Sequence, residues 1–315
     1  GTCGGPLEFG VSGYLIKSFT EPWDRDSIMA IDAGTFMSGI LYALRPQGTS
    51  LNFCPPSLGP QKLGTGTMPF NSPLANAAHV VRELVSAVCI THAHLDHVSG
   101  FVLNSSCFTP DRPKVLAGIP RVIDNIKTHL FNNVIWPNLS DEGENSIGLV
   151  RLRRLHVDES AEQEQDPEKN VEADEEADDD DDDVVEISDE KLDEGYEPIA
   201  NGVDMRAFAI SHGCVHVGAS SGESATVNAY DSTAFFIRDR ATGKEILVFG
   251  DVEPDTVSVR PKNKQVWVAA ASKFGRNKLA AIFIECSYSS IQPEHSLFGH
   301  LSPPYLIQEL KTFAS

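Results

Sequence analysis

Nothing in this 315-residue sequence amounts to a cysteine framework. Its six cysteines, Cys3, Cys54, Cys89, Cys107, Cys214 and Cys286, include no C-x-x-C pair and no short spacing suited to a disulfide scaffold or a thiolate zinc site. They read as reduced thiols, and the expected location is cytoplasmic. Long apolar runs are also missing. No stretch reaches the roughly 18 residues of a membrane-spanning helix, and no basic-then-apolar leader opens the chain. No membrane partner is expected. The third absence is a basic surface. Of the formal charge of −20, the segment 158–194 carries −19, with 21 acidic residues against Lys169 and Lys191, so the other 278 residues carry −1. A body so close to neutral lacks the basic face that a large nucleic-acid footprint needs, and nucleic acid is not among the expected partners.

What is present is a chain able to bury a core. With 41% hydrophobic residues over 315 positions, a globular enzyme is the starting expectation. One catalytic domain is read over 1–315, interrupted at 158–194. Six consecutive aspartates at 178–183 repel one another and offer nothing apolar to bury, so this insertion is expected to be disordered and without a catalytic part. The non-Met start also suggests a fragment or a processed chain.

Apolar runs and their periods mark the elements. Residues 13–18, 27–32, 87–90, 115–118, 205–210, 232–238, 245–249 and 280–285 read as strands. Apolar residues recur at helical spacing over 76–86, 121–131 and 303–313. Residues 45–73, rich in Pro, Gly and Ser and without a period, read as a long surface loop. Strands alternating with helices argue for an α/β layered fold.

The chemistry concentrates after the strand 87–90, where His92-Ala93-His94-Leu95-Asp96-His97 puts four candidate ligands into six residues of a loop. Imidazole nitrogens and a carboxylate suit zinc or a similar divalent ion. Two ions are expected, because His92 and His94 can serve one while Asp96 and His97 serve its neighbour. Two ions about 4 Å apart can hold a hydroxide at neutral pH and neutralise a phosphoryl group. Further ligands are expected from later strand ends. His212 follows the strand 205–210 and precedes Gly213, and Asp251 follows the strand 245–249. His216, farther from its strand, is the competitor of His212.

Around these residues the chain resembles the metallo-β-lactamase superfamily. More narrowly it is similar to the class II cyclic nucleotide phosphodiesterases of fungi and related lower eukaryotes. The residues that carry the narrower match are Thr91 through Gly100 (THAHLDHVSG), Ile135-Trp136-Pro137, Gly250-Asp251-Val252-Glu253, Ile284-Glu285-Cys286-Ser287 and Phe298-Gly299-His300-Leu301-Ser302-Pro303. Gly4-Gly5-Pro6-x-Glu8 and Tyr14-Leu15-Ile16-Lys17 add to them.

The resemblance implies a four-layered αββα sandwich. It implies that His92, His94 and His212 hold one zinc, that Asp96 and His97 hold a second, and that Asp251 bridges them. Asp32 would orient a ligand histidine by accepting its ring N–H, a role that stays open against that of a plain turn residue before Gly34. His300 would donate a hydrogen bond or a proton to the phosphate or the leaving oxygen. The implied reaction is hydrolysis of a nucleoside 3',5'-cyclic phosphate, cyclic AMP before cyclic GMP, to the 5'-monophosphate. The partner is thus a small molecule, with homodimerisation left open. In the superfamily a further histidine comes from a last strand beyond the final helix. The sequence stops at Ser315, so either that strand lies in a longer chain, the favoured expectation, or the second metal site is incomplete. Two readings compete: a transfer-RNA processing nuclease of the same fold, disfavoured by the near-neutral body, and a catalytically inactive regulatory protein, disfavoured by the full set of nearby ligands.

Overall fold

The computed structural model describes residues 10–44, 62–157, 194–217 and 226–315. The expected disorder of 158–194 and the block at Gly4 to Glu8 therefore fall almost wholly outside the described residues, as do most of the loop at 45–73 and the side chain of His216.

Two sheets organise the chain. The first collects β1 (Tyr14–Lys17), β2 (Ile28–Ile31), β5 (Val85–Cys89), β6 (Lys114–Gly118) and β7 (Val150–Arg154) in that spatial order. Strand β1 runs antiparallel to β2, and the others are parallel. All four residues of β2 are buried, as suits a parallel strand covered on both faces. The second sheet places β8 (Glu197–Ala200), β9 (Val203–Val217), β10 (Thr226–Asp239), β11 (Glu245–Phe249) and β12 (Leu279–Phe283) in the order β12-β11-β10-β9-β8. A short hairpin, β3 (Lys62–Leu63) with β4 (Gly66–Thr67), lies apart from both sheets.

Helices close the layers. On the first sheet lie α1 (Met37–Ala43), α2 (Pro73–His79), α3 (Leu95–Leu103) and α4 (Pro120–His129), and on the second α5 (Asn263–Gly275) and α6 (Pro303–Ala314). One core cluster joins Met29, Val88 and Ile123 of the first half to Met205, Ala207 and Phe235 of the second sheet. A smaller cluster buries Phe208, Phe236 and Phe249 against Trp267 and Ala270 of α5 and Leu301 before α6. The order is helix, sheet, sheet, helix, the four layers that the resemblance implied. No helix among the described residues is long and apolar enough to cross a membrane.

Several elements depart from the sequence reading. The helix expected at 76–86 starts earlier, at Pro73, where the Ser72 side chain caps the backbone N–H of Ala75. It then widens into a single π turn over Val80–Leu84, and β5 begins directly at Val85. Part of the expected loop at 45–73 is the hairpin β3–β4, whose Gly64 and Gly66 lie under the Trp23 ring. Unforeseen were α1, α3, α5, β7 and β8. The apolar spacing of α5 is broken by Lys273, which is itself buried and paired with buried Glu245 at 3.1 Å. The edge strands β7 and β8 belong to different sheets and are linked through the Glu197 side chain. There Arg153 Nη2 donates to Glu197 Oε2 at 2.8 Å, and the His156 N–H donates to Glu197 Oε1 at 2.7 Å.

Candidate metal centre

Strands β2, β5 and β11 all end at one rim of the sandwich, and the residues after each end build the centre. Past β2, Asp32 sits at a positive φ of 53°, uncommon for a residue with a side chain. Its carboxylate accepts from the Thr91 N–H at 2.8 Å, from the Thr91 hydroxyl at 3.0 and 3.1 Å, and from His97 Nδ1 at 2.8 Å. Asp32 thus both turns the chain after β2 and accepts the His97 ring N–H. Past β5 the chain presents His92 and His94. The motif was read as a loop, but α3 begins at Leu95, so Asp96 and His97 occupy the first turn of a helix. That turn is pressed against the Ala33-Gly34 backbone. A Cβ at Gly34 would lie 1.6 Å from the Asp96 carbonyl oxygen, and one at Gly100 2.5 Å from that of Ala33.

His212 comes from a different device. It was expected at a strand end and is instead inside the 15-residue strand β9. Ser211 pairs with Asp231 and Cys214 with Ala229, so His212 and Gly213 together face the single residue Tyr230. This is a β-bulge, with Gly213 at φ 73°, and it turns the His212 ring out of the sheet's alternation toward the centre. His212 Nδ1 donates to the Gly299 carbonyl at 2.7 Å. Gly299 is packed so closely that a Cβ there would lie 2.8 Å from His212 Nδ1. Asp251 follows β11. His300 lies beyond β12 and donates from Nδ1 to Glu285 Oε1 at 2.8 Å.

The eight residues singled out from the sequence therefore meet. His92 Nε2 and His94 Nδ1 are 3.0 Å apart, and His212 Nε2 is 3.3 Å from His94 Nδ1. One oxygen of Asp251, Oδ2, lies 3.3 Å from His97 Nε2, 3.8 Å from His92 Nε2, 3.9 Å from His212 Nε2 and 3.8 Å from His300 Nδ1. Asp96 Oδ2 is 3.5 Å from His97 Nε2. Three overlapping ligand groups result: His92, His94 and His212; His92, His97 and Asp251; His212, Asp251 and His300.

The ring hydrogens show why a cation suits this arrangement. With Nδ1–H of His92 directed to the Thr91 hydroxyl at 3.0 Å and that of His212 to Gly299, both rings turn an Nε2 lone pair inward. His97 spends Nδ1–H on Asp32, and its buried Nε2 has no hydrogen-bond partner. Buried polar atoms are ordinarily satisfied, and lone pairs converging on carboxylate oxygens are the donor set of a divalent ion.

Electrostatics agree. Burial and the neighbouring histidines hold His92 well below the usual imidazole range, and burial lowers His94 and, to about 4, His212. These rings are kept neutral, as ligands must be. Against its own burial, His97 is pushed up to about 12 by Asp32, Asp251 and Asp96. Burial opposes ionisation of Asp96 and Asp251 too, yet His97 holds Asp96 down to about 2 and keeps Asp251 below the carboxylate range. Three carboxylates crowd one imidazole, a surplus of negative charge that a bound cation would take up. Burial lowers the affinity of His300 for its proton, but Glu285 outweighs it and raises the pKa.

Sequence reasoning missed the supports. Tyr230 lies flat on His94, with centroids 4.6 Å apart and planes 13° from parallel. Thr91 and the Gly299 carbonyl fix ring orientations, while Glu285 fixes His300 and also accepts from the Val252 N–H at 3.0 Å. Thr91, Glu285 and Gly299 each adjoin or lie within matched blocks, a signal that could have found them. Tyr230 had none, since only the bulge brings it opposite His212.

Comparison with known proteins places this geometry. The sequence profile of the class-II cAMP phosphodiesterases matches residues 2–315. A 3',5'-cyclic-nucleotide phosphodiesterase of Schizosaccharomyces pombe is 30% identical over 312 residues, covering 98% of this chain and 72% of the relative. The protein of that name from Candida albicans is 28% identical over 354 residues, covering 99% and 80%. Among solved structures, unliganded yeast PDE1 superposes with a TM-score of 0.66 at 24% identity, over 99% of this chain and 80% of that one, a likeness of fold.

Proposed function

The chain belongs to the class-II cAMP phosphodiesterases, and from that premise we propose that the cluster around Asp251 is where it hydrolyses a 3',5'-cyclic nucleotide. The protein is a 3',5'-cyclic-nucleotide phosphodiesterase. We read residues 1–315 as one catalytic domain acting in the cytoplasm, cyclic AMP as the substrate and the 5'-monophosphate as the product. The carrying observation is the single oxygen of Asp251 within 3.3 to 3.9 Å of four imidazole nitrogens.

The residues fit two divalent ions, zinc by their mix of imidazole nitrogens and carboxylate oxygens. His92, His94 and His212 would hold one, Asp96 and His97 the other, and Asp251 both. Bound there, the pair supplies positive charge for the phosphoryl oxygens and lowers the pKa of a water to about 7.

The chain's own residues do the rest. Asp32 keeps the proton of His97 on Nδ1 and so reserves Nε2 for ligation. Thr91 and the Gly299 carbonyl do the same for His92 and His212. Tyr230 holds the exposed His94 ring flat against the bulge. His300, oriented by Glu285, faces Asp251 and can donate to the departing 3' oxygen.

The test is to follow cyclic AMP and cyclic GMP by chromatography with purified protein of known metal content. The expected result is 5'-AMP at a rate abolished by chelation and restored by zinc, with a precursor transfer RNA left intact. Unchanged activity after complete removal of metal would refute the assignment.

A further inference from the structure

The metal centre accounts for the phosphate and leaves the rest of a nucleotide unplaced. Beside Asp32 lies a hollow of about 260 Å³ walled by Tyr14, Thr35, Phe36, Gly39, Ile40 and Leu63, and a second of about 400 Å³ shares the Gly13-Tyr14 wall. These volumes sit near the lower end for small-molecule sites, roughly 300–1,000 Å³.

Topology puts the hollow at the rim that carries the metal centre. Tyr14 pairs with Ile31, the last residue of β2 before Asp32. Its ring meets Phe283, the last residue of β12, edge to face at 6.2 Å, so it bridges the two sheets where both end.

The wall is also built in advance. The N–H groups of Gly10 and Val11 each donate to Thr35 Oγ1 at 3.1 Å, and the Gly34 N–H donates to the Ser12 carbonyl at 2.9 Å. Apart from Asp32, whose carboxylate is engaged by Thr91 and His97, the lining bears no charge. An uncharged, partly aromatic slot suits a neutral planar ring, not the sugar phosphate.

We propose that this hollow is the subsite for the nucleobase of the cyclic nucleotide, with the Tyr14 ring as the wall between base and metal centre. The ligand's identity rests on the phosphodiesterase site assigned above. Gly39 is the position to probe: it lines both hollows, and a Cβ there meets Thr35 Cγ2 alone, at 3.3 Å. In a helix the replacement of glycine is locally favourable.

The experiment compares 5'-AMP with ribose 5-phosphate, which shares its sugar and phosphate, by titration calorimetry on metal-loaded protein. The native protein is expected to bind 5'-AMP at least tenfold more tightly. Gly39→Leu and Tyr14→Ala should each reduce that ratio below threefold while the affinity for ribose 5-phosphate, the metal content and the melting temperature stay close to native. Tyr14→Phe should retain the ratio. Should Gly39→Leu fail to fold, Tyr14→Ala, at a half-exposed residue, carries the test. A ratio that persists in the folded variants overturns the proposal, as does a native protein that cleaves cyclic AMP and shows no ratio. A native protein that cleaves no cyclic nucleotide overturns instead the site assignment beneath it.

Discussion

The two halves of the metal centre are built by different means. His92, His94, Asp96 and His97 come from one strand end, one short loop and one helical turn, so their mutual positions are set almost locally, with Asp32 and Tyr230 reaching in from other strands. His212, Asp251, Glu285 and His300 come from a bulge and three separate segments, and only the packing of the second sheet brings them together. A local half can survive small changes elsewhere. A distributed half transmits every shift of its scaffold to the ligands.

The two halves share one atom, Asp251 Oδ2, and the largest effect is expected there. Asp251→Ala removes the one oxygen that faces histidines of both halves, and kcat/KM for cyclic AMP is expected to fall about 10³-fold or more, the several kcal/mol such a charge clamp supplies. The loss should exceed that of His94→Ala measured in the same assay, and an equal loss would erase the distinction. Next comes the scaffold of the distributed half. Gly299→Ala places a methyl group against His212 at a positive φ of 83° and should cost about 10²-fold in kcat/KM together with about 1–3 kcal/mol in denaturant melts. A local half should respond less to loss of one support. Asp32→Asn is expected to weaken metal affinity about 10- to 100-fold, read by chelator competition, with the fold intact.

The smallest effect is read in protons. Metal-free His97 has its pKa raised to about 12, so its contribution to stability is complete below its unfolded value near 6.5 and is lost as pH rises toward 12. His212, lowered to about 4, acts in the opposite sense: its contribution is present above about 6.5 and is lost as pH falls toward 4. Urea melts of the metal-free protein should therefore weaken between pH 6.5 and 4. Metal uptake near pH 7 must displace the His97 proton, and calorimetry in buffers of differing ionisation enthalpy should report about one proton released. No release would mean that His97 is not a ligand.

Legibility in the sequence follows the same division. The local half could be read because six consecutive residues after an apolar strand already state which side chains are neighbours. His212 was identifiable as a candidate, yet its placement at a strand end was wrong, because period-2 patterning carries no mark of the one-residue surplus that makes a bulge. Tyr230 was invisible for the same reason. Helix α5 escaped because Lys273 interrupts its apolar face, and only the structure shows Glu245 beneath it. Strand β7, Val-Arg-Leu-Arg-Arg, alternates as an edge strand should but is rich enough in arginine to read as polar. The layered architecture was legible because it depends on the alternation of elements and not on their ends.

The contact of Arg153 and His156 with Glu197 has a further consequence. Those two bonds tie the chain just before position 157 to the chain just after position 194. When the ends of a chain are already fixed, lengthening the connection costs entropy only logarithmically, about 0.6 kcal/mol for each doubling. The junction of β7 and β8 is thus a place where sequence can be lengthened, shortened or exchanged for a whole guest domain at little cost to the sheets, a natural graft point in an otherwise tightly specified enzyme.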